Sequence, residues 1–112
     1  MIFGMVCSYP TSPAMTEREL VMAGYVLQRC KDLGHPGIFT VFTDFKRDLG
    51  EGKHAFAWAK PGGDYVTVYR PDVNDEETYP NHVLDAYAKH ECCHIAGHED
   101  QAAAGQCVRA WE

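Results

Sequence analysis

Apolar positions recur along this chain in two periods, and the period changes mark its elements. Thr16 and Glu19 have the spacing of a capping box, and Leu20, Ala23, Tyr25, Val26, Leu27 and Cys30 follow as an apolar set that runs to Leu33. The spacing predicts an amphipathic helix, with Gly34 placed to stop it. From Ile38 to Phe45 β-branched and aromatic residues dominate, as in a strand. Ala55–Lys60 and Tyr65–Arg70 predict two more strands, joined as a hairpin through Pro61-Gly62-Gly63-Asp64. An acidic stretch, Asp72 to Thr78, reads as a loop. Residues 80–97 then return to the helical period, with Pro80 suited to a first turn and Gly97 to a stop. Helix, three strands and a second long helix predict an α+β domain with the helices on one sheet face.

The last helix carries the chemistry. On a 3.6-residue period, Val83, Leu84, Tyr87, Ala88, His90, Glu91, His94 and Ile95 share one sector, while Asp85 and Lys89 point away. Three ionisable groups therefore sit in an otherwise apolar stripe, where burial without a partner is costly. His90 and His94 stand one turn apart, with roughly 5–6 Å between Cβ atoms at that spacing. His90-Glu91-Cys92-Cys93-His94 is thus a His-Glu-x-x-His sequence on a helix, an arrangement suited to Zn²⁺ and an activated water. A lone histidine on such a face is ordinarily a hydrogen-bonded core residue. The pair with its intervening glutamate favours the metal reading.

Extended to Gly97 and Asp100, the pattern His90-Glu91-x-x-His94-x-x-Gly97-x-x-Asp100 resembles the elongated motif of metzincin-type zinc peptidases, in particular the snapalysin-like branch with Asp as third ligand. The resemblance covers about eleven residues. It implies a small zincin-like domain in which His90, His94 and Asp100 hold zinc, with His98 as the alternative third ligand and Glu99 and Glu112 behind it. Glu91 would then be the general base, taking a proton from water and passing it to the leaving amine. The resemblance also implies that the strand preceding the motif helix, Tyr65–Arg70, lies at the sheet edge and binds substrate backbone. The chain departs from the family in having no methionine after Met22, hence no methionine turn, and only twelve residues after Asp100. The expectation is a minimal version of the fold.

Length and charge narrow the alternatives. With 112 residues the chain is expected to form a single domain over residues 1–112. Ten basic against sixteen acidic residues, a net charge of −6, argue against a nucleic-acid surface. No apolar run has the length of a membrane span. The N-terminal Met1–Cys7 is apolar but lacks a basic start, so it reads as a strand or packed arm rather than a signal peptide. The five cysteines are accordingly expected as free thiols in the cytoplasm, with Cys92 packed in the core; Cys7 reaching the zinc is the less favoured alternative.

The function expected is zinc-dependent hydrolysis of a peptide or protein substrate. The alternative is a metal-holding accessory module without turnover, for which a virion-associated setting is conceivable. A deaminase is disfavoured, since the chain has no Pro-Cys-x-x-Cys segment. An amidase acting on cell-wall peptide stays open, because the same site attacks either amide.

Overall fold

The structure, a computed structural model, describes residues 14–111; the expectations for Met1–Cys7 fall outside that range. Helix α1 spans Glu17–Asp32 and begins at the expected capping box, in which Thr16 and Glu19 each bond the other's backbone N–H. It ends in a Schellman turn, with Gly34 N–H donating to Lys31 O and His35 N–H to Cys30 O. Gly34 takes φ +86°, which side chains disfavour.

Five strands follow: β1 Phe39–Thr43, β2 Asp48–Gly50, β3 Lys53–His54, β4 Ala57–Trp58 and β5 Tyr65–Tyr69. Then come a one-turn helix α2 Arg70–Val73, the motif helix α3 Asn81–Ile95 and a last helix α4 Gln101–Trp111. This is a small α+β domain, as the pattern predicts, with four helices among the described residues. No described helix is long and apolar enough to cross a membrane.

The main sheet has the order β1-β5-β4. Strand β5 lies parallel to β1 (Phe39↔Tyr65 to Thr43↔Tyr69) and antiparallel to β4 (Ala57↔Val68, Trp58↔Thr67). The predicted hairpin is therefore present, but Tyr65–Tyr69 is the central strand, not the edge. Among the described strands, β4 holds the edge nearer α3 instead. The reason is the connection from β1 to β5, residues 44–64, which carries the β2–β3 hairpin and β4 and lays β5 parallel to β1, so β5 is flanked on both sides. A separate two-stranded hairpin, β2–β3, precedes β4, with Glu51 at φ +56° between Gly50 and Gly52. The alternation of strands did not reveal this hairpin, since its strands bury little.

Helices α1 and α3 pack on each other over the sheet. Met22, Val26, Val66, Val68, Leu84, Ala88 and Ile95 are buried between them. Val66 and Val68 face this core, while Tyr65 and Phe39 stack on the opposite, exposed face. Arg29 forks onto Asp85 at 2.7 and 2.9 Å and fixes the two helices in rotation. The β4–β5 turn closes on the C-terminal end of α3, where Gly62 N–H donates to Ile95 O. Gly63 is needed there, because a Cβ would stand 3.0 Å from Lys60 O.

The cysteines overturn the free-thiol expectation. Cys30 on α1 is bonded to Cys92 on α3, and Cys93 on α3 to Cys107 on α4, with Cα separations of 4.9 and 6.0 Å. Adjacent residues on a helix project in different directions, so one Cys-Cys pair staples α3 to two different neighbours. Cys92 is buried, as expected, but as half of a bridge.

Candidate active site

Residues 80–97 fold into the predicted helix with the predicted end. Pro80 is the N-cap, and Gly97 at φ +111° closes a second Schellman turn in which His98 N–H donates to Cys93 O. Helix α3 carries His90, Glu91 and His94 to the groove between itself, the β2–β3 hairpin and edge strand β4.

The two histidines converge. His90 Nε2 lies 3.2 Å from His94 Nε2, with the rings nearly perpendicular. Two nitrogens, each about 2.0–2.1 Å from a tetrahedral zinc, stand about 3.3 Å apart, so the spacing suits one ion. His94 Nδ1–H donates to the His98 carbonyl at 2.7 Å, which leaves the Nε2 lone pair facing His90. His98 thus serves the pair through its backbone oxygen, and its ring is exposed. Burial, and secondarily the neighbouring His94, hold His90 below the ordinary imidazole pKa despite an opposing bond to Gln101. A neutral imidazole is the form that binds a metal.

Asp100 is not gathered with them. It caps α4, its Oδ1 accepting from Ala103 N–H at 2.6 Å and its carbonyl from Ala104 N–H. Gln101, one residue on, turns toward the site, with Oε1 2.5 Å from His90 Nε2. With His94 Nε2 unprotonated, His90 is assigned the Nε2–H tautomer, donating toward Gln101 and His94. A metal would have to displace that proton. No group of three His, Cys, Asp or Glu is arranged to hold a metal among the described residues. What the structure brings together is two imidazoles, with the Gln101 amide oxygen against one of them. Gln101 escaped the sequence reading, although Asp100 followed by Ala102-Ala103-Ala104 carries an N-cap signal that would have shifted attention by one residue.

Glu91 is buried at 4 % exposure. Its carboxylate has no hydrogen-bond partner among the described residues, and burial raises its pKa to about 8 against a smaller opposing pull from Arg47. A buried carboxyl in the groove that also holds the two imidazoles is one whose ionised form a cation there would favour.

Two recesses meet at Glu91 and Gln101. The larger, about 490 Å³, runs between His90 and His54, with Leu49, Phe56 and Tyr87 as apolar walls. The smaller, 210 Å³, holds Arg47, Trp58, His94 and Glu99. Arg47 stands 5.8 Å over the Trp58 ring, a cation–π contact that places it along β4. Phe56 and Tyr87 stack at 4.4 Å, and burial raises the Tyr87 pKa, with Asp72 and Glu91 adding. The groove therefore has an extended edge strand on one side and a His-Glu-His helix on the other.

No protein-family model, curated protein or solved structure matches the chain.

Proposed function

We propose that this protein is a zinc-dependent hydrolase of peptide amide bonds, with His90 and His94 as ligands and Glu91 as general base. The observation that carries the reading is the 3.2 Å approach of His90 and His94 Nε2 on the helix that also buries Glu91. Zinc held there would polarise an amide carbonyl and acidify a water toward neutrality. His94 is oriented by the His98 carbonyl, which turns its Nε2 lone pair toward His90. Gln101 borders the site as a neutral oxygen donor. Glu91, opening on both recesses, is placed to take a proton from water and return it to the leaving amine. A cation at the imidazoles favours its ionised form, which the base role requires. Strand β4, at the edge among the described strands and beside the groove, offers backbone groups to an extended peptide, a role the zincin resemblance implies for Tyr65–Arg70.

Two disulfides suit an oxidising setting better than a reducing cytoplasm, and we include that setting in the proposal. The second reading, a metal-holding accessory module without turnover, uses the same converging histidines and gives Glu91 no role as a base.

Elemental analysis of wild type, His94→Ala and Glu91→Gln tests the proposal, followed by a peptide-library cleavage screen. About one zinc per chain is expected in wild type and Glu91→Gln, and none in His94→Ala. Cleavage should appear in wild type alone. Zinc without cleavage would favour the accessory module, and a folded wild type that takes up no zinc would remove both readings.

A further inference from the structure

The larger recess has a second polar end that the zinc-site reading does not use. His54, at the end of β3, lines it opposite His90. His54 Nε2 lies 2.6 Å from Asp72 Oδ2, and Asp72 is buried on α2, 18 residues later in the chain. Burial raises the Tyr79 pKa and the nearby Asp72 carboxylate adds to the shift, which sets that hydroxyl in the neighbourhood of the pair. Tyr69 meets the His54 ring edge-on at 5.1 Å. The ring is thereby fixed through one nitrogen. Its other nitrogen, Nδ1, has no hydrogen-bond partner among the described residues. Between this ring and the His90/His94 pair the wall is apolar, formed by Leu49 and the stacked Phe56 and Tyr87.

We propose that His54, backed by Asp72, is a substrate-contacting group of this recess: it bonds an anionic oxygen of a peptide whose apolar side chain lies against Phe56 and Tyr87. The inference rests on the hydrolase reading above and names the substrate class of that same site. With Nε2 held by Asp72, Nδ1 is the nitrogen left to donate an N–H to the ligand. A donor held in advance costs little reorganisation when charge appears on the oxygen it faces. The anionic oxygen has two sources. One is the oxygen that receives the carbonyl electron pair as water adds to the amide. The other is the terminal carboxylate of a short peptide. Both present the same group to His54.

The test uses zinc-loaded full-length protein as wild type, His54→Gln and Asp72→Asn. The probes are a phosphonamidate analogue of an N-blocked glycyl-leucine amide, the matching carboxamide, and the matching free acid. Zinc content and thermal melts establish that each variant is folded and loaded. Dissociation constants come from calorimetry, and ¹⁵N-histidine spectra report the His54 ring, assigned by its absence in His54→Gln. Both variants are expected to bind the phosphonamidate or the free acid at least about tenfold more weakly, with the carboxamide changed less than about twofold. The His54 signals should move on adding the favoured anionic probe and stay in place with the carboxamide. Loss confined to the phosphonamidate assigns the reacting oxygen, and loss confined to the free acid assigns the carboxylate. A loaded wild type whose His54 signals ignore every probe, or variants that bind all three unchanged, would overturn the proposal while leaving the zinc site intact. A wild type that takes up no zinc overturns the hydrolase reading and this inference together.

Discussion

Replacing Glu91 with Gln should stabilise the metal-free protein at neutral pH, against the usual expectation for a buried polar group. The Glu91 side chain is buried, and burial raises its pKa from the ordinary 4.5 to about 8 in the folded state. An acid with a raised folded pKa contributes its full stability below the unfolded value, and that contribution is lost as pH rises through the folded one. At about 1.36 kcal/mol per unit, holding Glu91 in its burial costs about 3 kcal/mol at pH 7 and up to about 5 kcal/mol above pH 8. Gln has the same shape and no such charge, so the gap between variant and wild type should open between pH 4.5 and pH 8 with Glu91→Gln the more stable. Chemical denaturation in EDTA with disulfides intact, at pH 4.5, 7 and 9, measures this directly. Parallel pH profiles for the two proteins would refute the reasoning, because they would mean that Glu91 is solvated or paired. Adding zinc should narrow the gap at pH 7, since a nearby cation stabilises the ionised carboxylate.

Asp100→Ala separates the capping role from a ligand role: it should cost about 1 kcal/mol of stability while shifting zinc affinity less than about twofold, measured by denaturation and competitive chelation. A loss of zinc on that substitution would restore Asp100 as a ligand. Gln101→Glu should raise zinc affinity by about tenfold or more in the same chelation assay, since it puts a carboxylate where a neutral oxygen now faces His90; unchanged affinity would argue against Gln101 bordering the metal. Alkylation and peptide mapping of the denatured, unreduced chain should find Cys30, Cys92, Cys93 and Cys107 blocked. Removing Cys93 and Cys107 together by Ser substitution should cost about 3 kcal/mol from loop entropy, and removing Cys30 and Cys92 about 4 kcal/mol, read from denaturation midpoints.

Local signals in the sequence were sufficient for the elements that bury one face. The capping box at Thr16 and Glu19, the stop glycines Gly34 and Gly97, and the period of residues 80–97 each act within a few residues, so the chain alone determines α1, α3 and the β4–β5 hairpin. The same locality brings His90, Glu91 and His94 together, because one helical turn fixes their spacing. Everything that depends on which elements meet was decided by packing. The parallel placement of β1 beside β5 moved the edge to β4, and no residue within either strand encodes that neighbour. Cys92 and Cys93 gave no sign of two bridges, since their partners Cys30 and Cys107 lie 62 and 14 residues away and reach them only through helix packing. Gln101 in place of Asp100 follows from where α4 starts, and His54 joins the groove only because α2 sets Asp72 beneath it. A side chain's neighbours along a helix are fixed by backbone geometry, whereas its neighbours across a core are fixed by the simultaneous fit of every buried surface.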